Sequence, residues 1–293
     1  MAQSSTQHLI DICARPIDET ARQRAAWALK DWLGCAMVGS REPAGRALAA
    51  MAKSTGGRCF TAGAPLQDAA QAAFVNCGLG NILEMDDVHR ASILHAGDVV
   101  IPAVLATAQE NDTAGPELLD AIVAGYEVAI RIGNAAAANG YSAWYNSGTC
   151  GVFGAAMAAG RILKLDKPQL TDALGQAGML ASGIWQCRRE PTFSKQLASA
   201  HAARSGVEAA QLAAIGFPGA KQILEGELGF FATYYPSADA ELVMDTPDAP
   251  WHIFDVSFKP WPACRHAHPA IEAALKLRET SVAREIDRIT IST

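Results

Sequence analysis

No apolar run in this chain approaches the roughly 18 residues that a membrane-spanning helix requires. Met1 to Gln7 lacks the charged-then-apolar order of a secretory signal. There is no basic run and no zinc-finger spacing, so the usual footprint of a nucleic-acid-binding protein is missing. Cysteine is scattered: seven residues, at 13, 35, 59, 77, 150, 187 and 264, form no CxxC pair. An odd, dispersed set in a chain of this size excludes a disulfide framework and fits buried thiols in a reducing cytoplasm. Charge is thin as well, at 18%, with a net value of −6. An acidic protein of this kind meets an anionic ligand only through a local cationic pocket.

What is present is apolar and small. Hydrophobic residues make up 50% of 293, a globular composition rather than a disordered one. That length is near the point where one core stops growing, which predicts a large domain with a smaller one. No repeat of 20–50 residues occurs.

Helical spacing dominates. Asp18 is a plausible N-cap for a helix over 21–38 that stops at Gly39. Further helices are predicted over 44–53, 67–83, 117–136, 148–163, 167–185, 198–215 and 220–224, and one from Pro102 to Glu110 with the proline in its first turn. The texture changes after residue 250. Phe254 to Phe258 alternates, His268 to Glu279 is helical, and Ile286 to Ile291 alternates again. The prediction is a mainly α protein. Residues 1–250 form a large all-helical domain, and 251–293 begin a smaller α+β lid, a β-α-β unit that reads as truncated at Thr293.

One stretch concentrates the chemistry. Between Glu84 and Ala96, thirteen residues carry Glu84, Asp86, Asp87, His89, Arg90 and His95, set between two apolar segments. Charges beside buried helices are costly unless paired. The cluster therefore either lines a site or solvates a helix end. On a helix, Asp86 and Asp87 would point about 100° apart and could not share one site. Histidine spacing gives no metal signature: His89 and His95 are six apart, and His266 and His268 two apart. Neither matches a helical i, i+4 pair, and no cysteine lies close. No metal is expected, although a site assembled across the fold is the remaining alternative.

Three further stretches offer partners. Asn146 to Gly151 places Ser147 and Thr149 at a helix start, which suits either an anion or a simple cap. It is neither a Walker A loop nor a Rossmann fingerprint. Arg188, Arg189 and Lys195 form a cationic loop between apolar helices. Phe258 to His268 adds Lys259, Arg265 and His268 where the helical part meets the β-α-β part, and clefts form at such junctions. Together these residues describe a cationic, histidine-containing pocket for a small polycarboxylate. Acid–base chemistry there would take a proton next to a carboxylate and stabilise the charge that develops.

Met85-Asp86-Asp87-Val88-His89 through His95-Ala96-Gly97 resembles the D-D-x-H…H-P-G signature of the MmgE/PrpD family. Ser147 to Ala156, Gly216-Phe217 through Leu224-Glu225-Gly226, and Phe258 to Arg265 with His268 resemble its other motifs in the same order. The resemblance implies a helical domain with an α+β lid, usually as a homodimer. It also implies metal-free, cofactor-free dehydration, decarboxylation or epimerisation of di- and tricarboxylates in the cleft between domains. By position it marks His95, Asp87 (or Asp86), Lys195 and Lys259 as active-site residues. Asp86, His89, Ser147, Thr149, Arg265 and His268 are the expected substrate-binding set. Three positions depart from the family pattern: Tyr145 stands for a histidine before the Gly-Thr turn, Glu84 begins the acidic pattern, and Ala198 replaces the histidine after Lys195. Dehydration is the expected outcome. The alternatives are epimerisation, decarboxylation, or a shortened homologue that only binds or dimerises.

Overall fold

The computed structural model describes residues 4–54, 56–244, 249–279 and 288–291. Twelve α-helices appear among them: α1 Ser5–Cys13, α2 Glu19–Gly39, α3 Pro43–Met51, α4 Ala69–Gly80, α5 Ala96–Glu110, α6 Pro116–Ala136, α7 Asn146–Thr149, α8 Gly151–Ile162, α9 Lys167–Met179, α10 Ser194–Ala214, α11 Phe230–Tyr234 and α12 His268–Arg278. The caps follow the sequence. Asp18 accepts from the Ala21 N–H at 2.8 Å, and Asp68 from the Gln71 N–H at 2.8 Å. Asp166 and Gln169 form a reciprocal capping box at α9, which satisfies two amides that a helix start otherwise leaves unpaired.

The core lies between α4, α5, α6, α8 and α10. Small residues set its spacing. A Cβ on Gly154 of α8 would lie 2.5 Å from the Gly125 carbonyl of α6, so the two backbones touch where both residues lack side chains. Val99, Val100, Ile101 and Val104 of α5 are fully buried. No described helix is long and apolar enough to cross a membrane. All seven cysteines are free, and Cys13, Cys35, Cys59, Cys77 and Cys150 are buried.

Several expectations need correction. Helix α5 begins at Ala96, and Pro102 sits inside it rather than in its first turn. Helix α9 stops at Met179, not near Trp185. Beyond it, Gly183 adopts φ 121°, and its carbonyl accepts from the Tyr145 N–H at 3.1 Å. Residues 220–224 form turns instead of a helix. Helices α1 and α11 were not expected. The β-α-β unit is not what the described residues show. His252–Asp255 is a 3₁₀ turn, and strand-like pairing near it reduces to one antiparallel bridge, Val88 with Ser257. Arg24 holds this segment in place through the carbonyls of Ile253 and Val256. The helix over His268 is present. Arg288 to Ile291 carry no regular structure, and Ile286 and Asp287 lie outside the described residues.

Candidate active site

The loop between α4 and α5 is not helical, and that decides how its acids point. Glu84 sits at φ 52° and Ile93 at φ 52°, both in the left-handed region that L side chains seldom adopt. Such conformations persist where surrounding contacts fix them. Asp86 and Asp87 then face opposite ways. The Asp87 carboxylate enters the core, where it accepts from the Gly97 N–H at 3.0 Å and the Tyr126 hydroxyl at 2.6 Å. It thereby caps α5, whose N-cap residue, His95, makes no side-chain cap bond. Gly97 has to be glycine here: a Cβ would lie 2.4 Å from Tyr126 Oη and 2.8 Å from Asp87 Oδ2.

Asp86 faces the other side, toward His95. His95 Nδ1 lies 2.9 Å from Asp86 Oδ2 and 3.0 Å from the Asp87 carbonyl. The ring N–H is better aligned with the carbonyl, and Asp86 stands beside it as a charge. The Ser147 Oγ of α7 accepts from the His95 backbone N–H at 3.0 Å. With Nδ1 committed, Nε2 is the ring nitrogen left for chemistry, and it lies 3.4 Å from Lys195 Nζ.

Lys195 occupies the first turn of α10. The next residue, Gln196, fixes that turn by donating to the Asn81 carbonyl at 3.1 Å and Asn81 Oδ1 at 3.2 Å. Asn81 in turn donates to Asp86. Lys195 forms an ion pair with Glu84. Lys259 approaches from the segment after the Val88–Ser257 bridge. Its Nζ donates to the Glu84 carbonyl at 2.6 Å and lies 3.8 Å from Asp86 Oδ1. Glu84, Asp86, Lys195 and Lys259 thus interlock around His95. Their charges balance, two against two.

Burial shapes the protonation of this cluster. It pushes the Asp86 carboxyl upward, but His95, Lys259 and Lys195 together outweigh it and hold the group well below the usual carboxylate range. Asp87 lacks such cations. Burial raises it to about 7, against the hydrogen bonds from Tyr126 and Gly97 and with the help of the Asp86 charge. His95 is lowered, first by burial and then by Lys195, with Asp86 opposing. Burial, with Asp86 adding, pushes Asp98 on α5 well up.

These groups open on a cavity of about 560 Å³, whose lining includes Glu84, His95, Lys195 and Lys259 together with Arg188 and Arg265. The size suits a small organic acid. His95 at the N-cap of α5 and Lys195 in the first turn of α10 both line this cavity, and helix N-termini favour negative charge.

Of the residues singled out from sequence, the structure brings together Asp86, His95, Lys195, Lys259 and Arg265. Ser147 touches the site through the His95 backbone. Asp87 reaches it through its carbonyl alone. The others lie apart. His89 Nδ1 lies 2.8 Å from Ser92 Oγ, on the side of the loop toward His252. Thr149 shares a 2.6 Å hydrogen bond with the Tyr235 hydroxyl in the core. His268 Nε2 lies 3.1 Å from the Ala263 carbonyl. Glu84 stands in the charged stretch and as a departure from the family pattern but was given no role from sequence, yet it contacts both lysines. A left-handed non-glycine residue leaves no composition signal that would have found it.

The MmgE/PrpD N-terminal domain model matches residues 6–243. Cis-aconitate decarboxylase of Aspergillus terreus is 28% identical, over 87% of this chain and 56% of that protein. Cis-aconitate decarboxylase-like protein oryM of Aspergillus oryzae is 30% identical, over 92% and 61%. Human cis-aconitate decarboxylase is 32% identical, over 72% and 45%. The chain spans a little over half the length of the Aspergillus relatives.

Proposed function

The chain belongs to the MmgE/PrpD family, and from that premise we propose that it is a lyase, cofactor-independent as the family resemblance implies, acting on a di- or tricarboxylate. Residues 251–293 would be the start of its lid, and the working unit a homodimer. One observation carries the reading. His95 presents an available Nε2 to a cavity, with two ammonium groups fixed beside it.

The reaction begins with transfer of the proton α to a substrate carboxylate to Nε2. The electron pair moves into that carboxylate, and Lys195 and Lys259 face the charge that develops. Each fixed donor of this kind contributes roughly 3–4 kcal/mol to a transition state. Reclosure of the electron pair expels a β-hydroxyl. Lys195, within reach of Nε2, supplies the proton that lets it leave as water. Asp86 favours the imidazolium formed in the first step, since a carboxylate against the ring opposes the effect of burial. Glu84 occupies Lys195 until a substrate carboxylate competes for it.

Decarboxylation is the second reading, favoured by the names of the relatives. It passes through a carbanion of the same kind, formed by loss of carbon dioxide instead of a proton, and a proton is then delivered to carbon. Incubating the protein with hydroxy-polycarboxylates and with unsaturated tricarboxylates separates the two. Loss of a hydroxyl without gas release supports dehydration. Release of carbon dioxide supports decarboxylation. Turnover of neither class removes the proposal.

A further inference from the structure

We propose that His89, His252 and Asp255 bind a divalent transition-metal ion of the zinc class, clipping the His95 loop to the segment that carries Lys259. The proposal is independent of which reaction the cavity performs. Each residue offers one ligating atom, and the three atoms lie within 4.8 Å of one another.

The local structure explains why they converge. A 3₁₀ helix has three residues per turn, so side chains at i and i+3 eclipse. His252 and Asp255 open and close such a turn, and His252 Nδ1 lies 3.3 Å from Asp255 Oδ2. The Val88–Ser257 bridge, with both N–H···O distances at 3.0 Å, sets the neighbouring His89 against this turn. The two imidazoles meet edge to face, 6.1 Å between centroids at 70°. Glu127 in the core accepts from the His252 backbone N–H at 2.8 Å and fixes the turn from behind.

Two imidazoles and a carboxylate, with a fourth position for water, suit zinc, cobalt or nickel. Bonds of about 2.1 Å would place tetrahedral ligand atoms ~3.4 Å apart, so the side chains need only close inward. His89 is 5% exposed, and its ring is held edge to face against His252. Its Nδ1 is engaged: Ser92 Oγ lies 2.8 Å away and the Ser92 amide donates to it at 3.2 Å. Metal binding through Nε2 requires the tautomer in which Nδ1–H donates to Ser92 Oγ, the outer-shell contact that orients most metal-bound histidines, and the hydrogen bond from the Ser92 amide to Nδ1 is then given up. Asp255 is 64% exposed, which provides entry.

Spacing along the chain concealed this set. His89 and His252 lie far apart in sequence, and among the described residues the group of three that converges joins His89 to neither His95, His266 nor His268.

The full chain, stripped with a chelator, is titrated with zinc chloride by calorimetry, alongside His252→Gln, Asp255→Asn and Cys264→Ser. The last variant tests the other candidate pair, Cys264 Sγ and His266 Nδ1 at 3.4 Å. The expected result is one equivalent bound by the wild type and by Cys264→Ser. His252→Gln and Asp255→Asn should each weaken binding at least about tenfold, and zinc should raise the thermal midpoint of the wild type but not of His252→Gln. The proposal is overturned by no saturable binding, by unchanged affinity in either ligand variant, or by loss of binding in Cys264→Ser.

Discussion

His95 Nε2 lies 3.4 Å from Lys195 Nζ, so the ring nitrogen left free by the Asp87 carbonyl is the one facing the ammonium. Lys195 adds to burial in lowering His95. Lys195→Met therefore raises the His95 titration, followed by NMR of the imidazole in the free protein, because this variant also loses the proposed proton donor and its turnover falls. Lys195→Arg keeps the charge and holds the His95 titration near its wild-type position. An unmoved titration in Lys195→Met would contradict the coupling of the two residues.

Lys259 is 2% exposed at its side chain and faces Asp86, which is 1% exposed. Lys259→Met leaves a buried carboxylate short of a cation. Breaking a buried pair in this way costs ~3–5 kcal/mol. Chemical denaturation at neutral pH should show that loss. Lys259→Met/Asp86→Asn should recover much of it, because the stranded charge is gone.

Much of the scaffold was legible in the sequence, and the reason is periodicity. Asp18 stands where the sequence puts a cap, and the apolar spacing of α2, α6 and α10 places them to within a few residues. Legibility fails where long-range contacts decide. Pro102 looks like a helix start, but Asp87 caps α5 six residues earlier from across the loop. Phe254 to Phe258 alternates like a strand, yet its pairing is one bridge to Val88 and its Val256 carbonyl accepts from Arg24. In the site, His95, Lys195 and Lys259 were singled out by type and resemblance. That Asp86, not Asp87, faces them depends on a non-helical loop with Glu84 left-handed. No window of sequence encodes that turn.

Asp87 gives a pH signature of stability. Its folded value of about 7 is raised above 3.8, so its contribution is fully present below pH ~4 and is lost as pH rises through ~7. The rise corresponds to about 4 kcal/mol as an upper bound. Asp87→Asn cannot ionise, so wild-type stability should fall relative to this variant between pH ~4 and ~7 and run parallel above. Parallel urea-unfolding free energies across the whole range would contradict the assignment.

Gly97→Ala tests the α5 cap. The added methyl meets Tyr126 Oη and Asp87 Oδ2, and overpacking of this kind costs about 1–3 kcal/mol. Because the displaced residues also seat His95, turnover should fall by more than the loss of folded protein. Turnover that only tracks the folded fraction would confine Asp87 to the core.

Solvent deuterium exchange reads the central proton transfer directly. In D₂O, wild-type protein with a di- or tricarboxylate substrate should place deuterium at the carbon α to a carboxylate, followed by proton NMR. His95→Gln should slow that exchange by about 10²–10⁴, the usual contribution of a positioned acid–base group. Equal exchange in the two proteins, or none in the wild type, would contradict the account.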